Sequence, residues 1–193
     1  MALKATIFKA ALQIADMDRG YYADHALTIA RHPSETDERM MLRLLAFALH
    51  AGPGLEFGKG LSTDDEPDLW QRDLTGRIRL WIDVGLPDEK LVRRGCGRSD
   101  EVVVYAYGRG AELWWERSRS ALERARNLRV LSVPAAASQE LARLAQRSLQ
   151  LQCTIQEGHV WICDQDGAVE VALTIVTKDP TPPRRTTTPR QHR

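Results

Sequence analysis

Two aspartates stand where the surrounding residues disfavour a carboxylate. Asp83 lies within the apolar run LWIDVG at residues 80–85, and Asp68 lies in DDEPDLW at residues 64–70. Strands disfavour aspartate, and the burial of an unpaired charge costs several kcal/mol. Each carboxylate therefore needs a partner, a proton or a metal ion.

The two aspartates are predicted to lie on neighbouring antiparallel strands. Residues 68–73 and 78–84 have the composition of strands, and the turn between them is expected near residue 75. Asp68 and Asp83 then fall roughly opposite each other. Two carboxylates at that spacing repel each other unless a cation or a shared proton lies between them.

Two predicted helices flank this hairpin. The first covers residues 34–50, with Ser34 as its N-cap and Glu38 within it. Its apolar residues recur at helical spacing and predict one buried face, formed by Met41, Leu42, Leu45 and Leu49. The second helix is short, covers residues 87–98 and begins near a proline.

The three acids Glu38, Asp68 and Asp83 offer oxygen ligands only, which suit Mg²⁺ or Mn²⁺. Such an ion activates water and stabilises charge on a scissile phosphate. A nearby lysine adds positive charge or helps to deprotonate the water. The pattern therefore indicates metal-dependent hydrolysis of phosphodiesters.

The order of the predicted elements is typical of an α/β (α+β) fold with a mixed β-sheet and flanking helices. Between residues 34 and 107 the order is αβββαβ, and its last strand, EVVVYAY, is expected to be buried and parallel. Extra strands are predicted at both ends. They form an N-terminal hairpin over residues 3–31 and a C-terminal antiparallel meander over residues 149–177.

Composition bounds the class of protein. We predict a single domain over residues 1–177 and a disordered Pro- and Arg-rich tail over residues 178–193. The chain has 27 Lys and Arg against 26 Asp and Glu, which argues against a strongly basic coat but leaves room for a local basic patch. Three cysteines without CxxC spacing, and no signal peptide or apolar span, predict a cytoplasmic protein without a membrane partner.

The acid constellation resembles that of the PD-(D/E)xK nuclease superfamily. Glu38 matches the helix glutamate, Pro67-Asp68 the first motif and Asp83 the second, but Gly85 stands where the motif has lysine. The superfamily sometimes supplies that lysine from the neighbouring helix, for which Lys90 is the candidate. The resemblance implies catalysis by these four residues, a Mg²⁺ or Mn²⁺ cofactor at the three acids, and DNA or RNA as the substrate.

More closely, residues 1 to 177 resemble the YaeQ family. Family membership implies a variant of the same nuclease fold, whereas it implies no agreed activity or substrate. The stretches that carry the resemblance are MALKATIFKA, LTIARHPSETDERMMLRLLAFA, DDEPDLW, LWIDVGLPDEK and TIQEGHVWI.

Each candidate residue also has a structural explanation. Asp68 can simply start a strand, and Lys90 can be a solvated helix residue. The ion pairs open to the other acids are Glu38 with Arg31, Arg39 or Arg43, and Asp83 with Arg77 or Arg79.

Three hypotheses follow. The leading one is a metal-dependent, nuclease-like phosphodiesterase. The second is a catalytically inactive nuclease fold that binds nucleic acid or protein, accessory to transcription or repair, which the glycine at position 85 favours. The third makes the acids members of an ion-pair network with the many arginines.

Overall fold

The computed structural model describes residues 4–59 and 66–177. Within this part of the chain, eleven strands and four helices follow one another. They are β1 (Thr6–Asp16), β2 (Tyr21–Arg31), α1 (Asp37–His50), β3 (Leu55–Phe57), β4 (Leu69–Arg72), β5 (Ile78–Val84), α2 (Glu89–Arg98), β6 (Ser99–Tyr107), α3 (Ala111–Leu122), β7 (Leu128–Val133), α4 (Ala135–Arg143), β8 (Ser148–Gln156), β9 (His159–Cys163), β10 (Ala168–Val171) and β11 (Thr174–Ile175).

The strands form two mixed sheets. Sheet A has the order β10-β9-β8-β1-β2, and sheet B has the order β11-β7-β6-β5-β4-β3. In sheet B, strands β5, β6 and β7 are parallel, while β4 is antiparallel to β5. The predicted mixed fold, the αβββαβ order and the parallel setting of β6 are thus confirmed. The extra terminal strands form a sheet of their own, built around the parallel pair β1 and β8.

Helix α1 is buried on every side between the two sheets. Residues 40–48 are all buried, and one apolar cluster joins this helix to inward-facing residues of both sheets. A helix that is apolar around its whole circumference is typical of the centre of a core. The prediction of a single buried face was wrong, because sheet A covers the face that a one-sheet fold would leave in water.

Helix α1 also begins later than predicted. Its N-cap is Thr36, whose Oγ1 accepts a hydrogen bond of 3.2 Å from the backbone N–H of Arg39. The predicted cap, Ser34, was wrong because it belongs to a separate turn. Its Oγ is hydrogen-bonded to Nδ1 of His32 at 2.7 Å, and that turn is closed by a 2.9 Å bond from the Glu35 N–H to the His32 carbonyl.

Helices α2 and α3 cover the opposite face of sheet B and enclose a second apolar cluster with it. Alternation along β5 places Leu80 and Ile82 in the core beside α1, while Trp81 lies in the second cluster. By the same alternation, Asp83 belongs to the face of Trp81. The strand thereby carries one carboxylate close to both layers of helices.

The C-terminal region departs from the prediction at one point. Strands β8, β9 and β10 form the predicted antiparallel meander. The predicted extent of this meander, to residue 177, was wrong, because the chain leaves sheet A after Val171 and pairs as β11 with β7 of sheet B. No helix in the described part of the chain is long and apolar enough to span a membrane. The predicted tail at residues 178–193 lies outside the described residues.

Candidate functional site

The candidate site lies at the carboxyl ends of the parallel strands of sheet B. Strand β5 ends at Val84 and β6 ends at Tyr107, while α4 begins directly after β7. The first turn of α1 meets this edge, because Nε of Arg39 donates to the Val84 carbonyl oxygen at 3.2 Å. In open α/β sheets, ligands bind outside the carboxyl ends of the strands. The acids predicted from the sequence are distributed around this edge.

Asp68 and Asp83 occupy opposite positions on neighbouring strands, as predicted. Leu69 pairs with Ile82, so the same antiparallel register brings Asp68 beside Asp83. Asp68 is buried, and its Oδ2 accepts the backbone N–H of Val84 at 2.7 Å. This bond ties the Asp68 carboxylate to the end of strand β5.

Arg39 compensates the charge of Asp68. Its Nη2 donates to Oδ1 and Oδ2 of Asp68 at 2.7 and 2.8 Å, while its Nη1 donates to Oε1 of Glu35 at 2.8 Å. Burial raises the pKa of Asp68, and the charges of Arg39 and Arg43 oppose that rise. Burial by itself lowers the pKa of Arg39, but the charges of Asp68 and Glu35 raise it by more than burial lowers it, so the pKa is raised overall. The guanidinium therefore acts as a fixed cation between two acids.

A second buried ion pair supports the first. Arg43, only 1% exposed, donates from Nη1 to both oxygens of Glu35 at 3.2 and 3.1 Å. Its Nε lies 3.7 Å from Oδ1 of Asp68. Sequence reasoning missed Glu35, Arg39 and Arg43 as parts of the site. The available signal was the spacing of four residues between Arg39 and Arg43, which share a face of α1, together with Glu35 just before the N-cap.

Asp83 forms no ion pair with a described residue, although the nearby charge of Arg39 lowers its pKa somewhat. Its Oδ2 accepts Nε1–H of Trp81 at 2.9 Å, and its carboxylate also accepts the backbone N–H of Asp68. Burial, together with the neighbouring charge of Asp68, raises the pKa of Asp83 to about 7. Its carboxylate therefore exchanges a proton near neutral pH.

The arginines considered as partners of Asp83 bind other acids. Arg77 and Arg79 both pair with Asp100, and Arg79 also pairs with Asp73 at 3.0 Å. The ion pair of Asp83 with Arg77 or Arg79 is therefore not formed. Alternation along β5 explains the relation of Asp83 to Trp81 instead, because residues two apart share one face.

Glu38 lies on the α4 side of the site. Its Oε1 accepts the hydroxyl of Ser138, near the start of α4, at 2.6 Å. None of the three arginines considered for it pairs with it, because Arg31 binds Asp37 while Arg39 and Arg43 bind Glu35. Among the described residues, Glu38 forms no hydrogen bond with Asp68 or Asp83.

Lys90 and Gly85 lie beyond the end of β5. Lys90 is exposed in the first turn of α2, and its backbone N–H donates to Oδ1 of the N-cap Asp88 at 2.8 Å. Among the described residues its ammonium forms no ion pair with the three acids. Gly85 has φ of +117°, a conformation that favours glycine, so a lysine at this position would be strained.

The donor set matches a hard cation only in part. Within the described residues, no three His, Cys, Asp or Glu side chains are grouped to hold a metal ion. Mg²⁺, however, usually keeps several waters and uses one or two protein carboxylates beside substrate oxygens. The adjacent pair Asp68 and Asp83 fits that requirement, with Asp83 the carboxylate that forms no ion pair with a described residue. Glu38 is held apart by Ser138.

Comparisons with known proteins give a consistent result. The family model described as "YaeQ protein" matches residues 1–173. Relatives from Salmonella typhi and Escherichia coli (strain K12), each named "Uncharacterized protein YaeQ", are 45% identical over 175 residues, which is 90% of this chain and 97% of theirs. The crystal structure of YaeQ protein from Xanthomonas axonopodis pv. citri is 53% identical, with a TM-score of 0.86 over 90% of this chain and 98% of that one. The YaeQ structure from Pseudomonas syringae is 37% identical, with a TM-score of 0.87 over 92% of this chain and 98% of that one.

Proposed function

The chain belongs to the YaeQ family, and from this premise we propose that it is a nuclease-like phosphodiesterase that acts on nucleic acid with Mg²⁺ or Mn²⁺. We take its core to be a variant of the PD-(D/E)xK fold. The observation that carries the proposal is the adjacent pair Asp68 and Asp83 at the carboxyl edge of sheet B, in which only Asp68 forms an ion pair with an arginine.

The balance of charge at this edge favours a cation. Two guanidinium groups, those of Arg39 and Arg43, lie here with four carboxylates. The carboxylates belong to Glu35, Glu38, Asp68 and Asp83. A net negative site repels a bare phosphate, so a phosphodiester would need a metal ion to approach it. Asp83 and Asp68 would hold the ion, which would activate water and stabilise the charge on the phosphate.

The protein's own groups prepare Asp83 for this role. Trp81 Nε1–H and the Asp68 backbone N–H fix the orientation of its carboxylate. A pKa of about 7 lets Asp83 release its proton near neutral pH, so that its carboxylate is free to ligate the ion. Arg39 fixes Asp68 from the other side, so the pair is held rigidly before substrate arrives.

Lys90 would supply the positive charge that Gly85 lacks. It lies in the first turn of α2, which follows β5 after a short connection. Its ammonium is exposed, so it would be free to contact a phosphate. Glu38 would complete the acidic surface from the side of α4, where Ser138 orients it.

The test is cleavage of labelled DNA and RNA in Mg²⁺ or Mn²⁺, with EDTA as the blank. We expect cleavage by the wild-type chain and at least a hundredfold loss in Asp83→Asn, which removes the ionisable oxygen but keeps the shape. Asp24→Asn is the matched control, because Asp24 is an exposed aspartate on β2 of the other sheet. No cleavage of any substrate, or equal cleavage by the two variants, would refute the proposal.

A second candidate is a nuclease-fold module that binds nucleic acid without cleaving it. The observation that favours it is the backbone of Gly85, where a positive φ excludes an unstrained lysine. Binding that persists in EDTA and in Asp83→Asn, together with no cleavage in any metal, would select this candidate over the enzyme.

A further inference from the structure

Basic residues are concentrated at the C-terminal ends of the two helices that cover the outer face of sheet B, and in the turn that follows the second helix. Residues 90–98, in α2, contain four Lys and Arg and no acid, and residues 117–126, at the end of α3, contain four Arg and one Glu. The whole chain has a net charge of only +1, so the rest of it is net negative. The C-terminal ends of the two helices therefore carry an excess of positive charge, whereas the acids Glu89, Glu112 and Glu116 lie nearer their N-terminal ends.

The two basic segments form the walls of an open groove. On the α2 side the groove is lined by Arg93 and Cys96, and on the α3 side by Ser120, Ala121 and Arg124. The small residues Cys96, Ser120 and Ala121 leave the space between the helices open. Arg93 and Arg124 are exposed, so their guanidinium groups are accessible at opposite walls. We call this feature the α2–α3 groove.

The arginines of the groove differ from most arginines elsewhere in the described chain. Arg39, Arg77 and Arg129 each pair with a carboxylate. Arg93 and Arg124 form no ion pair with any described residue. Unpaired arginines facing each other across a groove repel one another, and a bound anion relieves that repulsion.

The groove adjoins the acidic site through consecutive contacts. Cys96 lines the groove, and its neighbour Gly95 lies against Trp81, where an added Cβ would come within 3.1 Å of Nε1. The same Nε1–H donates to Asp83 at 2.9 Å. The link passes through the buried indole of Trp81, which is only 3% exposed. The groove lies at the C-terminal end of α2, whereas the carboxylate pair lies at the end of β5 that precedes this helix. Glycine at position 95 favours this close approach, because an added Cβ would require the indole to shift slightly.

We propose that the α2–α3 groove binds the phosphodiester backbone of a nucleic-acid strand. The proposal rests on the proposed function for its substrate class and extends it by assigning the surface on which the substrate lies. Arg93 and Arg124 contact phosphates from opposite sides, as planar guanidinium groups favour. Their contacts are to the backbone, so binding is independent of base sequence and strongly dependent on salt.

The experiment measures fluorescence anisotropy of labelled single- and double-stranded DNA and RNA with the full chain in EDTA, between about 0.05 and 0.2 M salt. We expect Arg93→Ala/Arg124→Ala to bind about tenfold to a hundredfold more weakly near 0.1 M salt, because each lost phosphate contact removes ~0.9 logarithmic units there. The slope of log affinity against log salt should fall by about two. Lys9→Ala/Arg143→Ala removes the same charge from exposed residues of β1 and α4, and it should retain wild-type affinity and slope.

Several outcomes overturn the proposal. The proposal is refuted if the groove variant binds nucleic acid with wild-type affinity. It is also refuted if both double variants lose the same affinity, because the loss would then reflect net charge only. A wild-type chain that binds anionic vesicles but no nucleic acid would also refute the proposal. The two proposals fail separately. Groove-dependent binding in EDTA without cleavage in Mg²⁺ refutes only the enzyme, and wild-type cleavage by the groove variant refutes only the groove.

Discussion

Replacing Asp83 by asparagine is expected to reverse its effect on stability between acid and neutral pH. Burial raises the pKa of Asp83 to about 7 from an ordinary value of 3.8. A raised folded-state pKa means that the folded chain keeps a proton which the unfolded chain has released. Asp83 thus contributes stability that is fully present below about pH 4 and is lost as the pH rises to about 7.

The size of the effect follows from this shift. A displacement of about three pKa units corresponds to on the order of 4 kcal/mol, and partial exposure of the carboxylate reduces this to about 3 kcal/mol. Asparagine removes the ionisation but offers one carbonyl oxygen to two donors, Trp81 Nε1–H and the Asp68 N–H, at a cost of about 1 kcal/mol. We therefore expect Asp83→Asn to be about 2 kcal/mol more stable at pH 8 and about 1 kcal/mol less stable at pH 4.

Chemical denaturation at the two pH values measures this directly, and thermal unfolding should show an increase in Tm of roughly 4–8 °C at pH 8. Asp24→Asn is again the matched control, and it should change neither value. A difference between Asp83→Asn and wild type that is the same at pH 4 and pH 8 would refute the reasoning. It would mean that Asp83 is ionised in the folded chain with an ordinary pKa.

Three further predictions concern residues around the two cores. Burial lowers the pKa of His50 to about 3, so the stability that depends on neutral His50 is lost as the pH falls below about 6.5. Relative to wild type, His50→Gln should therefore gain about 1.4 kcal/mol in unfolding free energy for each pH unit between about 6 and 4. Urea unfolding measures this, and a difference that does not change with pH would contradict it. Arg39→Met should destabilise the chain by about 3–5 kcal/mol near neutral pH, because it removes the guanidinium that pairs with the buried carboxylates of Asp68 and Glu35, and a loss below 1 kcal/mol would show that these ion pairs are dispensable. Gly85→Ala should lower the free energy of unfolding by about 1–3 kcal/mol through its positive φ alone, since its Cβ would meet only Tyr107 at 3.9 Å. Gly97→Ala, in α2 with no neighbour within 4 Å, should be neutral or stabilising. Equal effects of the two substitutions would refute the assignment of strain.

Local sequence signals predicted most of the elements and one feature of the site. Alternation and β-branched content identified β5 and β6, and the turn near residue 75 placed Asp68 opposite Asp83, as the register confirms. Such pairing is local, because a short turn and the period of two determine which residues face each other. The helix N-cap was misplaced for an equally local reason, since Ser34 and Thr36 both have a suitable hydroxyl and only the backbone conformation distinguishes them.

The partners of the acids could not be predicted in the same way. The structural alternative to a metal site at Asp83 was an ion pair with Arg77 or Arg79, its neighbours along the strand, yet both bind acids elsewhere. Glu38 meets Ser138, which is 100 residues away in the chain. Contacts between separate elements depend on how helices and sheets pack, and the spacing of residues along the chain carries no information about that packing.

The sequence by itself determined the order of the elements, the hairpin that carries Asp68 and Asp83, and the absence of a lysine at position 85. These follow from local propensity, side-chain periodicity and residue identity. Only the tertiary structure decided that two sheets enclose α1, that Arg39 compensates Asp68, and that Asp83 forms no ion pair with a described residue. The physical reason is that burial and distance determine the energy of a charge, and both arise when distant parts of the chain pack together.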